Sequence, residues 1–258
     1  SVALARAGAE VYHAGAIGTD GEMLREQLAA FGAHLDYLQT LDMPSGHTAL
    51  QVTPDGQNSI IVCAGSNARL TEDYIDSVLA HFGAGDMMLV QNEVNNVPYI
   101  IRQAKARGLK IAFNASPITA SILSYPLELV DYYLVNETEG RTLSGCDATD
   151  YETILATLHE KFPAAAIVLT VGSDGVLYQC GDERYAHGIY RVQAVDTTGA
   201  GDTFCGFFLA SLAKGLSVPQ ALENSSLASA LAVSRAGACD SIPTWAEMEA
   251  FAKTAQAK

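Results

Sequence analysis

The stretch of this sequence richest in chemistry is Ala194-Val-Asp-Thr-Thr-Gly-Ala-Gly-Asp-Thr-Phe204. A strand-like run ends at Val195, and a turn of small residues, Gly199-Ala200-Gly201, follows. A helix is expected to start at or near Asp202, with Phe204, Phe207, Phe208, Leu209 and Leu212 as its apolar face. Glycines permit positive φ and a close approach of backbone to a ligand. The first N–H groups of a helix have no intrahelical acceptor, and the helix dipole adds positive potential there. Together these make an anion hole suited to a phosphate. A carboxylate at its edge, Asp202, could take the proton of an attacking hydroxyl while the amides hold a transferring phosphoryl group. Asp202 could instead cap the helix, which would leave the small residues before it unexplained.

Other chemistries find little footing. There is no G-x-x-x-x-G-K-[ST] phosphate loop, and Gly15, Gly18 and Gly21 lack the G-x-G-x-x-G spacing of a dinucleotide fingerprint. Ser211-Leu-Ala-Lys214 matches S-x-x-K without its companion motifs, and the six histidines show no metal-ligand spacing. Five cysteines, widely spaced and without C-x-x-C, read as free thiols of a reducing compartment. A net charge of −14 argues against nucleic acid, whose phosphates need clustered Lys and Arg. Residues 1–17 carry no secretory pattern and no run of 18 apolar residues exists, so a cytoplasmic protein without a membrane span is expected.

The elements around the turn alternate. Apolar, β-branched runs predict strands at Val11–Ile17, Met87–Gln91, Lys110–Asn114, Tyr132–Asn136 and Ala166–Val171. Segments of helical period lie between them at Gly21–Phe31, Glu72–His81, Val97–Arg107 and Tyr151–Lys161. That order predicts an α/β fold, a mostly parallel sheet with helices on both faces. Later, Val176–Gln179 and Ala186–Val192 read as short strands, and 202–214, 218–235 and 244–254 as helices. Thr48–Thr53 and Ser59–Cys63 alternate around Pro54-Asp55-Gly56-Gln57, a hairpin signal where a helix would be due. It reads as part of a β lid, about 44–63, or as an ordinary edge hairpin. A length of 258 residues fits one large α/β domain or two small ones.

Asp196-Thr-Thr-Gly-Ala-Gly-Asp202 resembles the C-terminal signature of the ribokinase-like (PfkB) carbohydrate kinases. Further matches follow in order: Gly18-Thr-Asp-Gly21, Asn136-Glu-Thr-Glu139, Thr170-Val-Gly-Ser-Asp-Gly175, and Val233-Ser-Arg-Ala-Gly-Ala238 with Ser241-Ile-Pro243. The similarity runs from about residue 1 to 250 and looks most like ribokinase. It implies a single three-layer α/β/α domain over 1–258 with a small β lid. It also implies ATP-dependent phosphorylation of a sugar hydroxyl, with ribose favoured. Fructokinase, 2-keto-3-deoxygluconate kinase, an adenosine-type kinase or a non-catalytic nucleotide-binding relative are the alternatives.

By that resemblance Asp202 is the base and Gly199, Ala200 and Gly201 supply the anion hole. Glu93 contacts the sugar, or is a solvated loop acid. Asn136 lies near the ATP phosphates and Glu139 helps to place Mg²⁺ through water, or the two simply begin a helix. Thr170, Gly172, Ser173 and Gly175 line the nucleotide site, or form only a hairpin turn, and Ser226 lies near adenine. A monovalent cation, K⁺, would sit among Asp196, Thr198, Ala232, Arg235, Gly237 and Ser241, largely on main-chain carbonyls. The complete protein would form a homodimer through its lid. Ser1–Gly8 resembles the helix that follows the family's G-G-K-G-A-N-type sugar motif, so the sequence is expected to lack a leading strand and part of the lid. Asn114-Ala-Ser-Pro117 in place of N-P-A-P, and Asp240 in place of Pro, are not expected to touch the chemistry, though Asp240 could alter the cation-site loop.

Overall fold

The computed structural model describes residues 1–52 and 58–257. In chain order its elements are α1 (Val2–Arg6), β1 (Gly15–Gly18), α2 (Glu22–Ala30), β2 (Leu38–Leu41), β3 (His47–Val52), β4 (Asn58–Cys63) and α3 (Glu72–Leu79). There follow β5 (Met87–Gln91), α4 (Val97–Ala106), β6 (Lys110–Asn114), β7 (Tyr132–Asn136), α5 (Glu137–Ser144), α6 (Tyr151–Lys161) and β8 (Ala166–Thr170). The chain ends with β9 (Val176–Cys180), β10 (Glu183–His187), α7 (Ala200–Ala213), α8 (Val218–Val233) and α9 (Trp245–Ala252).

The main sheet runs β10-β9-β8-β7-β6-β5, with β5 to β8 parallel and β9 and β10 antiparallel. Its central strands are apolar on both faces, as strands covered by helices on both sides must be. Ile111, Phe113, Tyr133, Val135, Ile167 and Leu169 face one core, shared with Ile101 of α4, Leu143 of α5 and Leu155 and Leu158 of α6. Ala112, Leu134 and Val168 face the other, shared with Phe204, Phe208 and Leu209 of α7 and Leu222 of α8. That alternation makes the three layers and confirms the α/β/α architecture. α7 is buried from Thr203 to Ser211, which fixes it rigidly behind the turn that precedes it.

Several expected boundaries move. The run Val11–Ile17 forms a strand only over Gly15–Gly18, and it pairs in parallel with Leu38–Leu41 in a separate two-stranded sheet. The strand expected at Ala186–Val192 lies at Glu183–His187, because the tight turn after Cys180 sets its register, pairing Cys180 with Glu183. β3 and β4 form the expected hairpin as a third sheet, Val52 opposite Asn58. The Asp55-Gly56 turn lies outside the described residues.

The hairpin's base is held by the early Gly-x-Asp segment. Asp20 accepts hydrogen bonds from Ser45 N at 2.8 Å and Ser45 Oγ at 2.7 Å, which hold its carboxyl below the usual range. A Cβ on Gly18 would stand 2.0 Å from the Met43 carbonyl, so only glycine lets these chains approach so closely.

Candidate active site

The parallel strands deliver their carboxyl ends to one rim, the usual place for a ligand in an open α/β sheet. Asn136 ends β7 and Thr170 ends β8, and the two are paired across the ladder. Asn136 Oδ1 accepts from Thr138 N and Glu139 N, both at 2.9 Å, while Glu139 Oε2 accepts from Asn136 N at 3.0 Å. This is a capping box at the start of α5. The helix-start reading of these two residues is therefore realised, and it leaves Asn136 exposed at the rim with Glu139 buried beside it. Burial raises the Glu139 carboxyl above the usual range, against the hydrogen bond from Asn136 N that lowers it.

After β8 the chain turns through Gly172–Asp174 into β9, with Val171 N bonded to Gly175 O at 2.9 Å. Gly172 and Ser173 are exposed on this turn. Gly175 has φ +102°, and a Cβ there would stand 2.1 Å from the His187 carbonyl. The turn is thereby clamped against the end of β10. Ser226, 8% exposed, sits within the helical layer on α8. Glu93 follows β5, exposed, on the wall of a large cleft.

The glycine-rich turn is built more tightly. Val195 N and Asp196 N both bond to Val233 O, at 2.8 and 3.2 Å, which ties the turn to the end of α8. Asp196 Oδ1 accepts from Thr198 N at 2.9 Å and Oδ2 from Gly237 N at 3.1 Å. The Thr198 bond, then Gly237, holds the Asp196 carboxyl below the usual range. Gly199 has φ +74° in the left-handed region and is the N-cap of α7, so the helix begins at Ala200. Asp202 is accordingly the third helical residue, exposed, and not the cap. Ala200 N is already engaged with Thr197 O at 3.2 Å, so that amide is a weaker anion donor than the sequence implied. Gly201 is exposed, with open space where its Cβ would be. Behind Asp202, Cys205 is buried, and burial pushes its thiol up to about 12.

The loop after α8 closes over this turn. Arg235 N bonds to Ala232 O at 3.0 Å, and Ser241 Oγ bonds to Ala238 O at 2.8 Å with Ser241 1% exposed. Asp196, Thr198 and Gly237 are brought together directly, and Ala238 lies against Gly199.

Two residues escaped the sequence reading. Ser229 of α8 bonds to Ala200 O at 2.9 Å, and Glu247 receives Arg235 Nη2 at 2.9 Å. Glu247 also caps α9 through Thr244 N at 2.7 Å, and that bond, with Arg235, draws its carboxyl down to about 2. Its signal was present as Thr244-x-x-Glu247, a capping box.

The sequence matches the pfkB family of carbohydrate kinases over residues 1–245. The chain belongs to that family. Ribokinase of Haemophilus influenzae is 33% identical over 261 residues, covering 97% of this chain and 84% of the relative. Ribokinase of Bacillus subtilis is 31% identical over 253 residues, covering 96% and 84%. The structure of Arabidopsis thaliana ribokinase complexed with ribose and ATP superposes with a TM-score of 0.88 at 27% identity, covering 98% of this chain and 85% of that one. Ribokinase from Cryptococcus neoformans var. grubii in complex with ADP gives 0.84 at 30%, covering 96% and 85%. Fold and family thus make this chain a carbohydrate kinase of three-layer α/β/α architecture. Among the described residues no helix is long and apolar enough to cross a membrane.

Proposed function

We propose that this pfkB-family chain transfers the γ-phosphoryl group of ATP to a hydroxyl of ribose. One observation carries the reading. Asp202 stands exposed on the first turn of a rigidly buried helix, directly behind a left-handed glycine. A carboxylate and orphan N–H groups thereby share one small space. The relatives named ribokinase, and the Arabidopsis structure that holds ribose and ATP, support the two substrates.

In this mechanism Asp202 accepts the sugar hydroxyl proton as its oxygen bonds to the γ-phosphorus. The bond to the β–γ bridging oxygen breaks and ADP leaves. Gly199 and Gly201 N–H groups, with the dipole of α7, offset charge on the phosphoryl oxygens. Thr170, Gly172, Ser173, Gly175 and Ser226 line the nucleotide side, and Glu93 the sugar side. Buried Glu139, with Asn136, suits a Mg²⁺ that keeps most of its waters, since a nearby cation favours its charged form. Bound there, Mg²⁺ would neutralise phosphate charge.

The low-lying Asp196 carboxylate and the surrounding carbonyls suit a monovalent cation, K⁺, among Asp196, Thr198, Ala232, Arg235, Gly237 and Ser241. Arg235 turns its guanidinium to Glu247 and so leaves that loop free of positive charge. We read 1–258 as one domain with a partial lid at about 44–63. The exposed Ile61 and Val62 of β4, at 52% and 57%, support a homodimer through that lid. Five free cysteines, widely spaced in the sequence, support a cytoplasmic setting.

The test is a panel of ribose, fructose, 2-keto-3-deoxygluconate and adenosine with ATP, followed by ADP release. Ribose is expected to have the highest kcat/KM. Strong turnover of another acceptor without ribose turnover would refute the ribose assignment.

A further inference from the structure

Glu93 is exposed just beyond β5, so its aim depends on the backbone that carries it. Residues 92–96, Asn-Glu-Val-Asn-Asn, form the turn from β5 into α4. Its asparagines turn their side chains to neighbouring segments. Asn92 uses both ends of its amide. Nδ2 donates to the Pro117 carbonyl at 2.8 Å and to Thr119 Oγ1 at 3.1 Å, and Oδ1 accepts from Tyr125 Oη at 2.8 Å. The Asn92 backbone N–H adds a bond to the Ser116 carbonyl at 2.9 Å. These bonds tie the start of the turn to the segment after β6. Tyr125 is itself anchored, since its ring packs against the main core, 6.5 Å from that of Phe113.

On the far side of Glu93, Asn95 imitates a backbone pairing. Its Oδ1 accepts from Leu70 N at 2.9 Å and its Nδ2 donates to Leu70 O at 2.8 Å. Asn95 N donates to Asn67 O at 3.2 Å, and Asn96 Nδ2 gives Leu70 O a second bond at 2.8 Å. Leu70 is buried in the same core that holds Tyr125. Asn96 takes φ 60°, a left-handed conformation that asparagine adopts more readily than most residues, and leads the chain into α4. The segment that Asn95 grips also touches the root of the lid, where Ser66 N donates to Pro44 O at 3.1 Å. The end of the turn is thereby tied to the segment that carries the lid.

We propose that Asn92 and Asn95 are positioning residues for the acceptor sugar, each clamping one side of Glu93. Both clamps end on residues rooted in the core, so the carboxylate is presented at one place beyond the end of β5. Asparagines that only shape a turn bond to backbone within it. Here the side-chain bonds of Asn92 and Asn95 all leave the turn. A carboxylate already held in its bound place loses less freedom when the sugar arrives, which tightens binding. The inference rests on the phosphoryl-transfer reading and deepens it. It concerns how the sugar is held and leaves the proton transfer to Asp202.

Steady-state kinetics of Asn92→Leu and Asn95→Leu test this, each alone and combined with Glu93→Ala, using the acceptor that the parent phosphorylates best. Each leucine variant should raise KM for the sugar about tenfold, the scale of one hydrogen bond to a charged group, with KM for ATP within about twofold. In the Glu93→Ala background the same changes should move the sugar KM by less than about twofold, because the group they aim is gone. Tyr125→Phe removes one hydroxyl and is the milder variant where a leucine variant fails to fold. It should raise the sugar KM about two- to threefold in the parent and leave Glu93→Ala unchanged. A merely structural role would add the same factor in both backgrounds, and that result would overturn the proposal. So would an unchanged sugar KM, or equal rises for sugar and ATP. A parent that phosphorylates no acceptor would sink the phosphoryl-transfer reading itself, and this inference with it.

Discussion

The turn at Asp196–Asp202 and the region around β1 solve the same problem, holding backbone in place, by different means. The turn is fixed by short-range bonds, Asp196 to Thr198 and to Gly237, and by a helix buried along most of its length. β1 is held by one neighbouring strand, by Tyr74 Oη on the Gly15 carbonyl at 3.1 Å, and by Ser66 Oγ on the Ala16 carbonyl at 2.7 Å. The difference teaches that the turn is fixed largely by its own local bonds, while β1 is held by side chains from segments distant in sequence.

Substitutions can break or sharpen that contrast. The largest effect is expected at Phe208, fully buried between α7 and the sheet. Phe208→Ala should lower unfolding free energy in urea by about 3–5 kcal/mol. Leu38 of β2 is also buried, yet it lines the open cleft, where the surroundings can relax. Leu38→Ala should cost about 2 kcal/mol, at the low end of its class. Equal losses at the two positions would erase the contrast.

The smallest effect is expected at Glu247, whose carboxyl is depressed to about 2 from an ordinary value of 4.5. A depressed carboxyl stabilises above its unfolded value, and the contribution disappears as pH falls from about 4.5 towards 2. Because the side chain is 41% exposed, solvent screening keeps it below about 1 kcal/mol. Thermal melts of Glu247→Gln should match the parent near pH 2 and fall slightly below it at pH 6. A deficit that grows as pH falls would contradict the assigned cause.

Much of this was legible in the sequence, and the failures have physical reasons. β7 and α6 fall at their expected bounds, Tyr132–Asn136 and Tyr151–Lys161, because a doubly covered strand and a helix with an Asp150 cap carry strong local signals. β2, Leu-Gln-Thr-Leu, was missed because four residues with half-polar character look like loop until a partner strand is known. The start of α7 was placed late because an acidic residue suggested a cap, whereas left-handed Gly199 serves instead. The glycine turn and the Asn136–Glu139 pair were readable from spacing. The Arg235 pairing with Glu247 was not, since it joins segments that only the fold brings together.

The central claim is that Asp202 takes the proton in phosphoryl transfer. Its most direct test is Asp202→Asn, with ribose turnover and calorimetric ATP affinity measured on the same preparation. The account predicts that kcat falls at least about 100-fold, the scale of general-base catalysis, while ATP affinity stays within threefold or so. Turnover within tenfold of the parent would contradict it.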